Sequence, residues 1–224
     1  MMFQQWQKDA LGNRLASFSP DRFPLERSTA IYAAAITLAD SELQVACLNR
    51  LRELGIAAEP LYEVVLQSYL FLGFPRMLGA AEVFHRVIDR SMSARSGFEV
   101  GDRNVDEWFA RGDRLCRNVY AHKYDPLRRK VSQMAPEVFE WMILEGYGKV
   151  LSRPALDIVS RETAIVACLM IEQHLPQLRA HVNGALNVGA SVELVELVVE
   201  DLSDTAGEGA QYAMDAVRKA AQKQ

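Results

Sequence analysis

The strongest constraint on this chain is that it resembles itself. RSTAIYAAA, beginning at Arg27, aligns with RETAIVACL, beginning at Arg161, an offset of 161 − 27 = 134. The register holds without a gap when residues 27–83 are laid on 161–217, and thirteen of the fifty-seven pairs are identical. That is about three times what chance pairing gives at this composition. The identities include Thr29/Thr163, Ile31/Ile165, Asn49/Asn183, Gly55/Gly189 and Gly73/Gly207. The chain reads as an internal duplication, so each half shows what the other half's fold tolerates at the same place.

The punctuation within each half is helical, and nothing alternates with period two for long enough to form a strand. Ser41-Glu-Leu-Gln44 has the form of a capping box, Gly55 suits a helix end, Pro60 a first turn, and Gly73-Phe-Pro75 a break. In the second half Ser160 is expected to cap a helix running to about Ile171. Pro176 opens one that ends at Gly189, and Ser191 caps a third that carries Leu194, Val195, Val198, Val199 and Leu202 at helical spacing. SMSARSGFEVGDR reads as a polar joint, followed by helices opening at Asn104 and near Pro136. The expected architecture is all-α. An N-terminal arm (1–24) precedes a first four-helix unit (25–90), a helical connector (91–150) and a second four-helix unit (151–224).

Composition narrows the function classes. With 29 acidic and 25 basic side chains and no local Lys/Arg cluster, the chain lacks the electrostatic footprint of a nucleic-acid binder. No window holds an uninterrupted apolar run of membrane-spanning length, and the first residues do not read as a secretory leader. A cytoplasmic protein with no nucleic-acid or membrane partner is expected. Cys47, Cys116 and Cys168 are scattered, without a C-x-x-C, and read as small buried hydrophobes rather than a zinc site or disulfide framework. His85 and His122 read as surface residues, Arg153 as a structural contact, and Tyr120 and Trp141 as core. Trp6, Leu11 and Leu15 form an apolar stripe on the N-terminal arm.

SRETAIVACLMIEQHLPQLRAH, residues 160–181, sets Glu162, His174 and His181 among core-like positions. Glu162 is expected in a first helical turn, where a carboxylate is favoured by about 0.3–1 kcal/mol without any chemistry. His181 sits at the edge of an apolar face and His174 just outside a helix. The 134-residue offset places Ser28, Asp40 and Cys47 opposite these three, so the shared fold does not require them. Two histidines and a carboxylate are also a metal-ligand set, but no pair has the short i, i+3 or i, i+4 spacing, and neither metal nor cofactor is expected.

These residues resemble a known family. The duplicated unit, the spacing Glu162-x11-His174-x2-Gln177-x3-His181, the G-A-S turn at Gly189 and the connector Tyr147-Gly-Lys-Val-Leu-Ser-Arg-Pro-Ala-Leu-Asp157 are similar to the carboxymuconolactone decarboxylase and AhpD-like alkylhydroperoxidase family. The peroxidase branch has a redox cysteine pair where this chain has His174 and Gln177, whereas the decarboxylase branch keeps the glutamate and histidine without it. The resemblance therefore implies proton-transfer chemistry, of decarboxylation type, on a small carboxylated or lactone substrate. Glu162, His181 and His174 would be catalytic, and Gln177, Glu63 and Gln67 would contact the substrate. A non-catalytic relative, or one from the antioxidant branch that has lost its cysteine pair, is the alternative. A family pattern E-x3-Q-x3-Y-x-G-x-P is nearly kept at Glu63, Gln67, Phe71, Gly73 and Pro75, but not at Leu197, Asp201, Thr205, Gly207 and Gly209. The site is then either one pocket composed from both halves or two decayed ones. The resemblance also implies a homo-oligomer, a trimer of two-unit chains.

Overall fold

The computed structural model describes residues 3–88 and 104–222, and these are helical with no strand among them. The SMSARSGFEVGDR joint lies outside the described residues. α1 (Gln5–Ser17) leads to α2 (Pro24–Thr37), α3 (Ser41–Glu53) and α4 (Ala58–Val87). α5 (Val105–Tyr120), a 3₁₀ turn, α6 (Tyr124–Met134) and α7 (Pro136–Trp141) follow, and α7 continues directly as a π-helical segment, Met142–Leu151. α8 (Ile158–Ile171), α9 (Leu175–Asn187), α10 (Val192–Asp201), α11 (Ser203–Ala206) and α12 (Glu208–Ala221) complete the chain.

The helix boundaries recur at the sequence offset: 158 − 24, 175 − 41 and 192 − 58 are each 134. The turns recur as well. Gly55 and Gly189 both have positive φ, as do Ala39 and Gln173, and Gly73 and Gly207. At Gly73 (φ 78°, ψ 162°) α4 is broken, a conformation open to glycine because it has no Cβ.

Several caps differ from the sequence reading by a residue or more. Asp40, not Ser41, caps α3, accepting from the amides of Glu42 and Leu43 at 3.1 and 3.0 Å. Asp157, not Ser160, caps α8, accepting from Ser160 N at 2.9 Å. An aspartate reaches the orphan amides as well as serine does, and in both cases it lies nearer the turn that precedes the helix. Ser191 and Asn104 cap α10 and α5 as expected, through Leu194 N and Glu107 N.

α2 and α8 form the centre, with every residue from Arg27 to Thr37 and from Ser160 to Ile171 buried. A helix apolar all round is one enclosed on every side. Alanines at 30, 33, 34 and 35 and at 164 and 167 let the pair approach closely. Each central helix sends an arginine into the other half. Arg27 makes two 2.8 Å bonds to Asp201 on α10. Arg161, at the equivalent position, reaches α4: Gln67 Oε1 at 3.1 Å and Glu63 Oε2 at 2.9 Å. Gln67 and Asp201 are themselves 134 apart. Glu63 also binds Arg153 Nε at 2.9 Å, and both Glu63 and Arg161 are wholly buried.

α5 and the π-helical segment touch backbone to backbone. A Cβ on Gly112 would lie 2.0 Å from the carbonyl oxygen of Ile143, and one on Gly148 would lie 2.1 Å from that of Trp108. α4 has the length and mean hydropathy, 1.2, of a membrane span. It nevertheless buries Glu63 and Gln67 against α8 and breaks at Gly73. Trp141 is 63% exposed rather than core, because α7 lies at the rim of the cavity described below.

Removing Glu63 would leave two arginines, one fully buried, without their shared carboxylate. Glu63→Ala is expected to cost about 3–5 kcal/mol, read as a lower denaturant midpoint at unchanged slope. Removing the exposed Arg22–Glu193 pair by Glu193→Ala should cost at most about 1 kcal/mol.

Candidate functional site

Glu162 stands on the second turn of α8, not the first, because the helix begins four residues earlier at Ile158. Its side chain is fully buried, so the helix-terminus account of this carboxylate does not apply. His181, on α9, points its Nδ1 at Glu162 Oε2 across 2.8 Å. A carboxylate accepts only, so Nδ1 carries the shared hydrogen and Nε2 is the ring nitrogen left for a bound molecule. The other carboxylate oxygen, Oε1, is buried without a hydrogen-bond partner among the described residues.

The space for this pair comes from Gly184, one turn beyond His181. A Cβ there would lie 2.9 Å from Glu162 Oε2 and 2.8 Å from Val119 Cγ1. The end of α5 is tied to α9 by Asn187 Nδ2, which donates to Val119 O at 2.8 Å. That bond fixes Tyr120, the last residue of α5, relative to His181.

His181 forms part of the wall of a cavity of about 640 Å³. Its ring meets Phe71 edge-on at 5.5 Å and Tyr120 at 6.3 Å. Tyr147, from the π-helical segment, stands edge-on to Tyr120 at 6.3 Å. Burial pushes both phenols up from their ordinary range, and the nearby Glu162 charge adds to the effect. Tyr69 donates to Glu145 at 2.6 Å in the same wall, and no lysine or arginine lines the cavity among the described residues.

The sequence-derived candidates divide. Glu162 and His181 meet, and Gln177 lines the same cavity one turn before His181. His174 does not join them: it occupies the N-cap position of α9, 55% exposed, with its Nε2 3.9 Å from Glu172 Oε2. Glu63 and Gln67 do not reach the cavity, because Arg161 and Arg153 engage them inside the fold. Helix α4 contributes instead through Tyr69, Leu70, Phe71 and Phe74, about one turn further along. The sequence reading missed Tyr69, Glu145 and Met142, and it assigned Tyr120 to the core and gave Tyr147 no role. For Tyr120 and Tyr147 the aromatic content of the connector was the one signal; Tyr69, Met142 and Glu145 had none.

The three cysteines are free and buried. Desolvation raises all three thiols, Cys168 to about 11 and Cys47 and Cys116 further, so none is a thiolate near neutrality.

Fold and site together define an all-α protein with a buried carboxylate–imidazole pair opening on an apolar cavity. Residues 136–219 match the model of the carboxymuconolactone decarboxylase family. This part of the chain, which holds Glu162 and His181, belongs to that family. No curated protein matches the sequence significantly.

Gly184→Ala provides a local test of this geometry. The flexible carboxylate is the neighbour best able to move, so the substitution should break the Glu162–His181 bond at modest cost in stability. The His181 ring signals in an NMR pH titration are expected to shift while the melting temperature falls by only a few degrees.

Proposed function

We propose that the chain is an enzyme of the decarboxylase branch of its family. It would transfer protons to a small lactone or related carbonyl substrate that loses carbon dioxide. The observation that carries this reading is the 2.8 Å Glu162–His181 pair, buried at the wall of a largely apolar cavity. Glu162 orients the imidazole and compensates its charge, and Nε2 gives or takes the proton. Gln177 can hydrogen-bond the substrate, and Phe71, Met142 and Trp141 enclose its carbon skeleton. The cysteine chemistry of the peroxidase branch is disfavoured by the raised, unpaired thiols.

The test is a panel of small carboxylated lactones and an organic hydroperoxide, assayed with wild type, Glu162→Ala and His181→Ala. Lactone turnover should fall by roughly 10²–10⁴ in kcat for His181→Ala, the usual worth of general acid–base catalysis. Hydroperoxide turnover that survives both changes but needs Cys168 would reverse the assignment.

The duplication belongs to the same proposal, with the second half supplying Glu162 and His181 and the first half lending α4 to the cavity wall. So does association of copies, since Phe74 and Trp141 are 58% and 63% exposed at the cavity rim. Light scattering should give three times the 25.1 kDa chain mass. Replacing Trp141 with Glu should lower that mass.

A further inference from the structure

Beside His181 the cavity wall carries two tyrosines whose rings meet edge-on. Tyr120 and Tyr147 come from α5 and the π-helical segment, whose backbones meet at Gly112 and Gly148. Tyr147 is almost fully buried, and its neighbour Gly148 accepts from Arg111 Nη2 at 2.9 Å, which anchors the segment. α5 stops at Tyr120 because Ala121 takes a positive φ, 46°, and Asn187 holds that end against the helix of His181.

We propose that Tyr120 is a second catalytic group, whose hydroxyl donates a hydrogen bond to the substrate oxygen that gathers negative charge, with Tyr147 a positioning residue behind it. This rests on the proton-transfer reading above. Both tyrosines line the cavity; the Tyr120 ring lies 6.3 Å from that of His181, and Tyr147 stands edge-on to Tyr120 at 6.3 Å, which leaves the Tyr120 hydroxyl as the donor for a molecule bound beside the imidazole. Burial raises both phenols above their ordinary range, so both are protonated, and able to donate, near neutrality. Donors fixed before the charge appears need no reorganisation when it does.

The step balances. The bond between the substrate carbon and its carboxylate breaks and carbon dioxide leaves. The electron pair moves through the conjugated system to the carbonyl oxygen, which becomes an enolate held by Tyr120 O–H. Imidazolium Nε2 of His181 then protonates the carbon, the carbonyl re-forms, and the neutral imidazole takes its proton back from water. One carboxylate and one proton become carbon dioxide and the C–H product.

The experiment uses a nitrophenol, bound as its phenolate to imitate the enolate, and the methyl ether of the same compound as the uncharged control. Binding is followed by phenolate absorbance and by competition, in full-length wild type, Tyr120→Phe and Tyr147→Phe. Wild type should prefer the phenolate. Tyr120→Phe should weaken phenolate binding about tenfold while ether binding stays unchanged, and kcat on a turned-over lactone should fall by roughly a hundredfold with little change in KM. Tyr147→Phe should show the same pattern at smaller size.

Equal phenolate affinity in wild type and Tyr120→Phe would overturn the proposal, as would equal loss of both ligands or no preference for phenolate in wild type. The proton-transfer reading fails separately, if His181→Ala and Glu162→Ala leave lactone turnover intact.

Discussion

The structure depends on the exchange of arginines between its halves. α2 and α8 are buried along most of their lengths, so the charged groups they carry need partners inside the protein. Arg27 answers to Asp201 and Arg161 to Gln67 and Glu63, each arginine crossing to the third helix of the other half. Burial lowers the pKa of Arg161 and Glu63 offsets only part of that, whereas the Asp201 hydrogen bond raises the pKa of Arg27 above its ordinary value. The pairs fix the register of α4 and α10 on the central helices. With Gln67 held on Arg161, Phe71 falls one turn further along α4, against the His181 ring.

The two halves share helices but not a site, and the difference comes down to a few side chains. Where the second half has Glu162, His181 and Gly184, the first has Ser28, Cys47 and Arg50. Arg50 and Asn187 perform matching tasks: Arg50 donates to Phe18 O at the end of α1, and Asn187 to Val119 O at the end of α5. Gly184 leaves a gap that the Glu162 carboxylate fills; an arginine at that position leaves none. The first half instead buries the oxygens of Ser28, Tyr32 and Gln44 without partners among the described residues. Glu162 itself leaves one oxygen in that condition, beside a histidine at a cavity wall, where an unmet acceptor is of use to chemistry.

Much of this was legible in the sequence because the 134-residue offset gives many positions a counterpart to compare. The offset of 134 located the helices, and the contrast of Glu162 with Ser28 and of His181 with Cys47 singled out the pair that meets. The failures have a common physical cause. Glu63 and Gln67 look like site residues on their own helix, and only the packing of α4 on α8 shows that two arginines engage them. His174 shares sequence spacing with His181 but not its helix face, since it stands before the first turn of α9. Tyr120, Tyr147 and Glu145 belong to the connector, where no repeat offers a comparison and where a π-helical segment shifts side chains off the ordinary 3.6-residue period.

The charge pattern of the cavity bears on which reaction it can serve. A lysine or arginine beside a substrate carboxylate would stabilise the bound ground state, and that stabilisation is lost as carbon dioxide departs uncharged, so the barrier would rise. Among the described residues the lining holds no such cation; it offers aromatic surface, hydroxyls and the His181 imidazole, with Glu145 held by Tyr69. Charge that leaves the carboxylate and spreads over a conjugated skeleton is less dependent on water than the carboxylate was. An apolar wall that withholds water therefore penalises the starting state more than the state on the way to product. In the proposed reaction the imidazole supplies the proton at the end of that movement, and the buried carboxylate, 2.8 Å from its Nδ1, holds the ring in place.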